Sequence, residues 1–232
     1  MPELERLASS ATAARAREAS PPARTAIDNA SIFHALERFD TAGLEIALGR
    51  ASAALAPAEL LREVVVPVLT AVGSAWSERR GSVAHEHLVS VVIRNVLGSA
   101  LHVYGRPQTG VRMVLATPKY EPHEFGVLGA TLLAASAGLD AIYLGPGIPA
   151  TDLADCAVTA QADVVVLGIT AAEHGDAIQR EVAEIARRLP NDVELWLGGR
   201  AAERMAATIR PRALVVNDYE MFQTELARVA GL

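Results

Sequence analysis

The sequence predicts an α/β protein, an N-terminal four-helix bundle followed by a (βα)5 doubly wound parallel sheet. Three observations carry that reading. Up to about residue 105, apolar residues recur at three- and four-residue spacing, the period of a buried helix face. After "RPQTG" (106–110) the pattern changes to short β-rich apolar runs alternating with helix-length segments. Of the 232 residues, 51% are hydrophobic, which supplies a sizeable core.

Residues 1–25 are rich in Ala, Arg, Ser, Glu and Pro and read as a flexible lead. Residues 26–105 form the helical part. "IDNASIFHALERF" and "TAGLEIALGRASAAL" are its first two helices. "PAELLREVVVPVLTAVGSAWSERR" is the third; Pro57 suits a first helical turn and Gly81 a stop. Pro67, inside it, removes an N–H and should kink the helix. Ser82 can N-cap the fourth, "VAHEHLVSVVIRNVLGSALHVYG". The short links between the four favour a bundle. Residues 106–232 form the sheet part. Its strands are "VRMVLAT", "AIYLG", "DVVVLGI", "VELWLGG" and "ALVVND", each followed by a helical segment. The expected strand order is the flavodoxin-like 2-1-3-4-5, with ligands bound at the carboxyl ends of the strands.

Composition narrows the function. Lys plus Arg number 21 and Asp plus Glu 27, a net charge of −6, and only 4% of residues are aromatic. That is a poor footprint for nucleic-acid binding. The single cysteine, Cys156, rules out an intramolecular disulfide and fits a reducing compartment. The N-terminus has no apolar stretch of signal-peptide length. The most apolar region, 126–151, is interrupted by Asp140, Gly145, Pro146, Gly147 and Pro149 and is not a membrane span. A cytoplasmic protein is expected.

Several common sheet chemistries are missing. The first strand–helix turn, "ATPKYEPHEFG", has one glycine and no G-x-G-x-x-G. Strands 1 and 3 end in Ala116-Thr117-Pro118 and Leu167-Gly168-Ile169-Thr170, without the aspartates of a phosphorylated receiver. No P-loop and no zinc-type Cys/His spacing occurs.

The first turn instead reads Glu121-x-His123-x-x-Gly126. An imidazole at a strand end can ligate a metal, and its second nitrogen then needs an orienting partner, which Glu121 can supply. Gly126 removes a side chain where a bulky group would approach the first helix. Strand 3 ends in Gly168 and Thr170 and strand 4 in Gly198-Gly199. Three neighbouring strand ends are thus stripped of bulk, which suits a long, thin ligand inserted beside the sheet.

These residues resemble cobalamin-binding domains of the methionine synthase and methylmalonyl-CoA mutase type, which carry Asp/Glu-x-His-x-x-Gly, then Ser-x-Leu, then Gly-Gly at similar separations. Here 41 residues separate Gly126 from Gly168, and 27 separate Thr170 from Gly198. The resemblance implies His123 as lower cobalt ligand, with the freed nucleotide tail threaded into the sheet. Gly168-x-Thr170 departs from Ser-x-Leu; the Thr170 hydroxyl is the substitute available for the tail's polar contact.

In the helical part, Trp76 is followed by nine residues and then Glu86-His87. Trp76 falls in the last turns of helix 3 and Glu86-His87 about one turn into helix 4, so an antiparallel pair brings the three to one end. This W-x9-E-H pattern resembles the CarH/LitR group of B12-dependent photoreceptors. The resemblance, over about residues 26–232, implies that the bundle caps the upper corrin face, with Trp76 against the 5′-deoxyadenosyl group and Glu86 and His87 helping to hold it. It implies adenosylcobalamin as cofactor, light as signal, and a homo-oligomer, dimer or tetramer, or a downstream signalling protein as partner. Two departures matter. Only about 25 residues precede the bundle, too few for a MerR-like DNA-binding domain, so direct DNA binding is not expected. Ser77 stands where the family can carry a histidine that ligates cobalt after photolysis; His85 or His87 is the substitute at hand. Lacking that DNA-binding domain, the chain also looks similar to photocobilins, which bind a bilin beside the B12. Cys156 could anchor a bilin, but within an apolar helix it reads better as a core residue. The alternatives are a corrinoid protein carrying methyl groups between methyltransferases, which needs an open upper face, and a (βα)5 binding module without B12. His34, His102 and His174 read as surface or satisfied core residues.

Overall fold

The computed structural model describes residues 29–77, 82–104, 107–170 and 174–231, without the side chains of 75–77. The N-terminal lead and the expected helix stop at Gly81 lie outside the described residues.

The bundle begins with α1 (Asn29–Glu37) and α2 (Thr41–Ala54). Asp40 caps α2 by accepting a 2.9 Å bond from the Gly43 N–H. The third helix is built in pieces: α3 (Pro57–Leu60), a π-helical turn (Leu61–Val65) and α4 (Val66–Ser77). The last helix of the bundle, α5 (Val83–Val103), starts at Ser82, whose hydroxyl accepts from the His85 N–H.

The π turn is the form that the expected kink takes. Pro67 has no N–H for the carbonyl of Glu63, and a widened turn just before a proline relieves the ring clash. Asn29 Nδ2 donates to that same Glu63 carbonyl at 2.9 Å, tying the start of α1 to the break. The turn also turns Leu61, Val64 and Val65 inward, all at most 3% exposed.

Five parallel strands follow in the order β2-β1-β3-β4-β5: β1 (Arg112–Pro118), β2 (Asp140–Ile148), β3 (Val164–Gly168), β4 (Glu194–Gly198) and β5 (Ala213–Val216). The connecting helices are α6 (Phe125–Ser136), α7 (Ala150–Thr159), α8 (Gly175–Arg188), α9 (Ala202–Ala206) and α10 (Tyr219–Ala230). The predicted α/β architecture and strand order are those observed. Of the expected fourth sheet helix, only the first half is α-helical; residues 207–211 are turns.

Strand β2 runs longer than its apolar core suggested, through Gly145-Pro146-Gly147 to Ile148. As an edge strand it does not need every N–H, so Pro146 is tolerated there. The register against β1 shifts twice, between Leu115 and Ala116 and again before Pro118. Gly145 (φ +86°) and Gly147 (φ +75°) supply the left-handed conformations these shifts require.

One face of the sheet, covered by α6 and α10, shares a continuous core with the bundle: Leu61, Val64, Val89 and Ile93 join Leu115, Leu128, Leu132 and Trp196. Gly129 marks the closest approach, since a Cβ there would lie 2.2 Å from Tyr219 Oη and 3.0 Å from Leu61. The opposite face carries a second core under α7, α8 and α9, against which Cys156 packs. Cys156 therefore lies across the sheet from the bundle. Among the described residues no helix is long and apolar enough to cross a membrane.

Candidate cofactor site

The β1–α6 turn builds the site around one carboxylate. The Glu121 N–H donates to the Pro118 carbonyl at 3.0 Å, with Tyr120 held left-handed at φ +73°. The turn drives the Glu121 side chain inward, where it is fully buried. Its Oε1 lies 2.6 Å from His123 Nδ1 and accepts the His123 backbone N–H at 3.0 Å. Its Oε2 accepts the Thr170 N–H at 2.6 Å, bridging the ends of β1 and β3. Thr117 Oγ1 donates to the Glu121 carbonyl and receives the Gly147 N–H at 2.9 Å, so β2 braces the turn as well.

The His123 ring is consequently oriented: Nδ1 faces Glu121, the side chain is 55% exposed, and Nε2 is the nitrogen left for a ligand. The Glu121 hydrogen bond holds the His123 pKa above its ordinary 6.5, against the opposing effect of partial burial. Two further charges act on the ring, Glu86 raising its pKa and Arg200 lowering it. Glu86 belongs to the first turns of α5.

The glycines divide into two kinds. At Gly126 a Cβ would meet nothing within 4 Å, leaving open space at the start of α6 beside His123. Gly145 and Gly147 border similar openings. The bareness of Gly168 and Gly199 has a cause within the fold, which the sequence reading assigned to the ligand. A Cβ on Gly168 would sit 3.1 Å from that of Val127 in α6. Gly199 has φ +96°, and a Cβ there would lie 2.4 Å from the Ile169 carbonyl oxygen. Gly198 pairs with Gly168 across β3 and β4, and its nearest neighbour is the Val216 carbonyl. Thr170 serves the site through its backbone N–H, which donates to Glu121 Oε2.

On the bundle, Glu86 and His87 are exposed in the first turns of α5. The Trp76 backbone ends α4 as expected, and its side chain lies outside the described residues. His85 is already engaged, its Nδ1 2.8 Å from Ser82 Oγ and its ring stacked on Phe39 at 4.2 Å. Of the other histidines, His102 bonds its own helix through the Gly98 carbonyl, and His174 caps α8 in a left-handed conformation.

A cluster that sequence reasoning missed lies next to His123. The Glu124 carboxylate, 5% exposed, binds Arg94 of α5 through Oε1, with Nε at 2.6 Å, and Tyr143 of β2 through Oε2. Burial, then the Glu124 bond, push the Tyr143 hydroxyl to a strongly raised pKa. Tyr219, partly buried against α6, donates to the Gly126 carbonyl at 3.1 Å. None of these residues belongs to a recognisable sequence pattern.

His123 offers one nitrogen, and among the described residues no group of three or more His, Cys, Asp or Glu side chains converges on a bare ion. That donor set, beside the opening at Gly126, suits a metal arriving with its own ring of ligands. Bundle, sheet and a single oriented imidazole are compatible with the corrinoid-binding proteins that the sequence resembles. The comparisons agree. Residues 29–100 match the family model of a B12 binding domain. The chain is 33% identical over 188 residues to the HTH-type transcriptional repressor CarH of Myxococcus xanthus, an alignment covering 80% of this chain and 62% of that protein. The chain thus spans less than two thirds of that relative's length. In fold it is similar to the monomethylamine corrinoid protein of Methanosarcina barkeri, with a TM-score of 0.69 at 11% identity over 85% of this chain and 96% of that one. Together these support a cobalamin-binding protein related to CarH.

Proposed function

We propose that the protein is an adenosylcobalamin-dependent light sensor, in which loss of the adenosyl group changes how the bundle sits on the sheet and so alters oligomer or partner state. The observation that carries this is the oriented imidazole: Glu121 Oε1 holds His123 Nδ1 at 2.6 Å and leaves Nε2 of a half-exposed ring for a ligand. When bound, adenosylcobalamin supplies a cobalt–carbon bond that visible light breaks. The protein's part is to hold both faces. His123 would ligate the cobalt, with Glu121 fixing its tautomer, and Gly126 would leave room beside it. Glu86 and His87, with Trp76 of the preceding helix, would wall the side of the cobalamin that carries the adenosyl group. Losing that group withdraws a differential interaction with the bundle and shifts the equilibrium between arrangements. Relatedness to CarH supports this reading.

The fold likeness to a corrinoid protein favours a second reading, a methyl carrier between methyltransferases. Size-exclusion chromatography separates the two. Protein loaded with adenosylcobalamin in the dark should change elution volume after green illumination, alone or with its partner. An unchanged profile, together with equal affinity for methylcobalamin, would favour the carrier. Red absorption in material purified from cells would add a bilin.

A further inference from the structure

The Arg94–Glu124–Tyr143 cluster touches both halves of the site. Glu124 follows His123 directly, so the latch acceptor and the proposed lower ligand share one stretch of backbone. Arg94 lies on α5 two helical turns beyond His87, roughly 10 Å along the axis and on nearly the same stripe. The latch donor and the proposed upper wall therefore ride on one helix. Tyr143 of β2 takes the second Glu124 oxygen, fixing the carboxylate to the sheet. The Arg94 guanidinium also lies over the Phe125 ring, 5.8 Å from its centroid.

The consequence is mechanical. The α5 helix cannot lift from α6 without drawing Arg94 off a carboxylate that is only 5% exposed. Arg94 is half exposed and Tyr143 would still bond Glu124, so the cost is less than that of a fully buried pair, yet a carboxylate at 5% exposure that loses its cation still favours the docked position. A docked, stiff wall discriminates between upper groups of different size; a loose one accommodates them all.

The geometry points to Arg94, Glu124 and Tyr143 as positioning residues, a latch that keeps the bundle seated and thereby sets the preference for a cobalamin with a bulky upper group. The inference rests on the cobalamin reading above. Its test uses the full chain, wild type and Arg94→Met, Arg94→Lys and Tyr143→Phe variants, titrated in the dark with adenosylcobalamin and with methylcobalamin. Hydrogen exchange over residues 82–104 is followed in the same proteins without ligand. In Arg94→Met, exchange should rise at least tenfold and the adenosyl-over-methyl preference should fall at least fivefold, with the histidine-coordinated spectrum retained. Arg94→Lys should restore part of the preference, and Tyr143→Phe should fall between. Unchanged exchange would overturn the latch. Faster exchange with an unaltered preference would reduce the cluster to a structural contact and overturn its role in discrimination. If wild type binds neither cobalamin, the cobalamin reading itself fails, and the latch's role in ligand choice with it.

Discussion

Replacing Glu121 tests whether one buried carboxylate organises the site. Glu121 accepts two backbone N–H groups, from His123 and Thr170, and binds the His123 ring. Glu121→Ala removes all three bonds. Counting the two backbone donors at about 1.5 kcal/mol each, and adding little for the half-exposed ring, the loss is about 3 kcal/mol. For a chain of this length that lowers Tm by about 6 °C, measurable by calorimetry. Glu121→Gln keeps one carbonyl oxygen and the side-chain volume, so it should lose about half as much. The charged share of the effect depends on pH. Because the folded His123 pKa is raised above 6.5, that share is complete below 6.5 and is lost as pH rises through the folded value. The gap between wild type and Glu121→Gln should narrow accordingly on the alkaline side. An alanine variant melting within about 1 °C of wild type would refute the reasoning.

Two glycines should respond in opposite ways. Gly126→Ala meets open space in a helix, so stability should hold or rise by up to about 0.5 kcal/mol while cobalamin affinity falls. Gly199→Ala puts a Cβ against the Ile169 carbonyl at positive φ and should cost at least about 2 kcal/mol in denaturant melts, whatever the ligand. Asn29→Ala frees the Glu63 carbonyl beside the π turn and should lose about 1 kcal/mol in urea unfolding; no loss would mean that Asn29 does not brace the break. Arg228 holds Glu194 below its ordinary 4.5, so its contribution, below about 1 kcal/mol for so exposed a pair, is present above pH 4.5 and lost as pH falls through the folded value. Melting curves of wild type and Arg228→Met should therefore converge in acid; a constant gap would point to lost packing on Trp196 instead.

What could be read from the sequence follows the length scale of the interactions. The succession of helices and strands comes from local periodicity and turn chemistry, and the strand order from the flavodoxin-like pattern that such a succession takes. The Glu121–His123 bond was legible because two residues on one turn can scarcely avoid each other. The strand through Gly145-Pro146-Gly147 was not, because its tolerance of proline comes from an edge position that only the assembled sheet defines. Gly168 and Gly199 look alike in sequence to a glycine cleared for a ligand, yet Val127 and the Ile169 carbonyl account for them. Arg94 and Glu124 are thirty residues apart and Tyr143 lies nineteen further on, so nothing local signals their meeting. Thr117 was noted for the aspartate it replaces, whereas its hydroxyl links β2 to the site turn.

The central claim is that His123 ligates the cobalt of a bound cobalamin. Its most direct test is an absorption titration of wild type and His123→Ala with adenosylcobalamin in the dark. The account predicts a tight, histidine-coordinated spectrum for wild type, and for His123→Ala weak binding without that spectrum. An identical spectrum and affinity in the two proteins would contradict it.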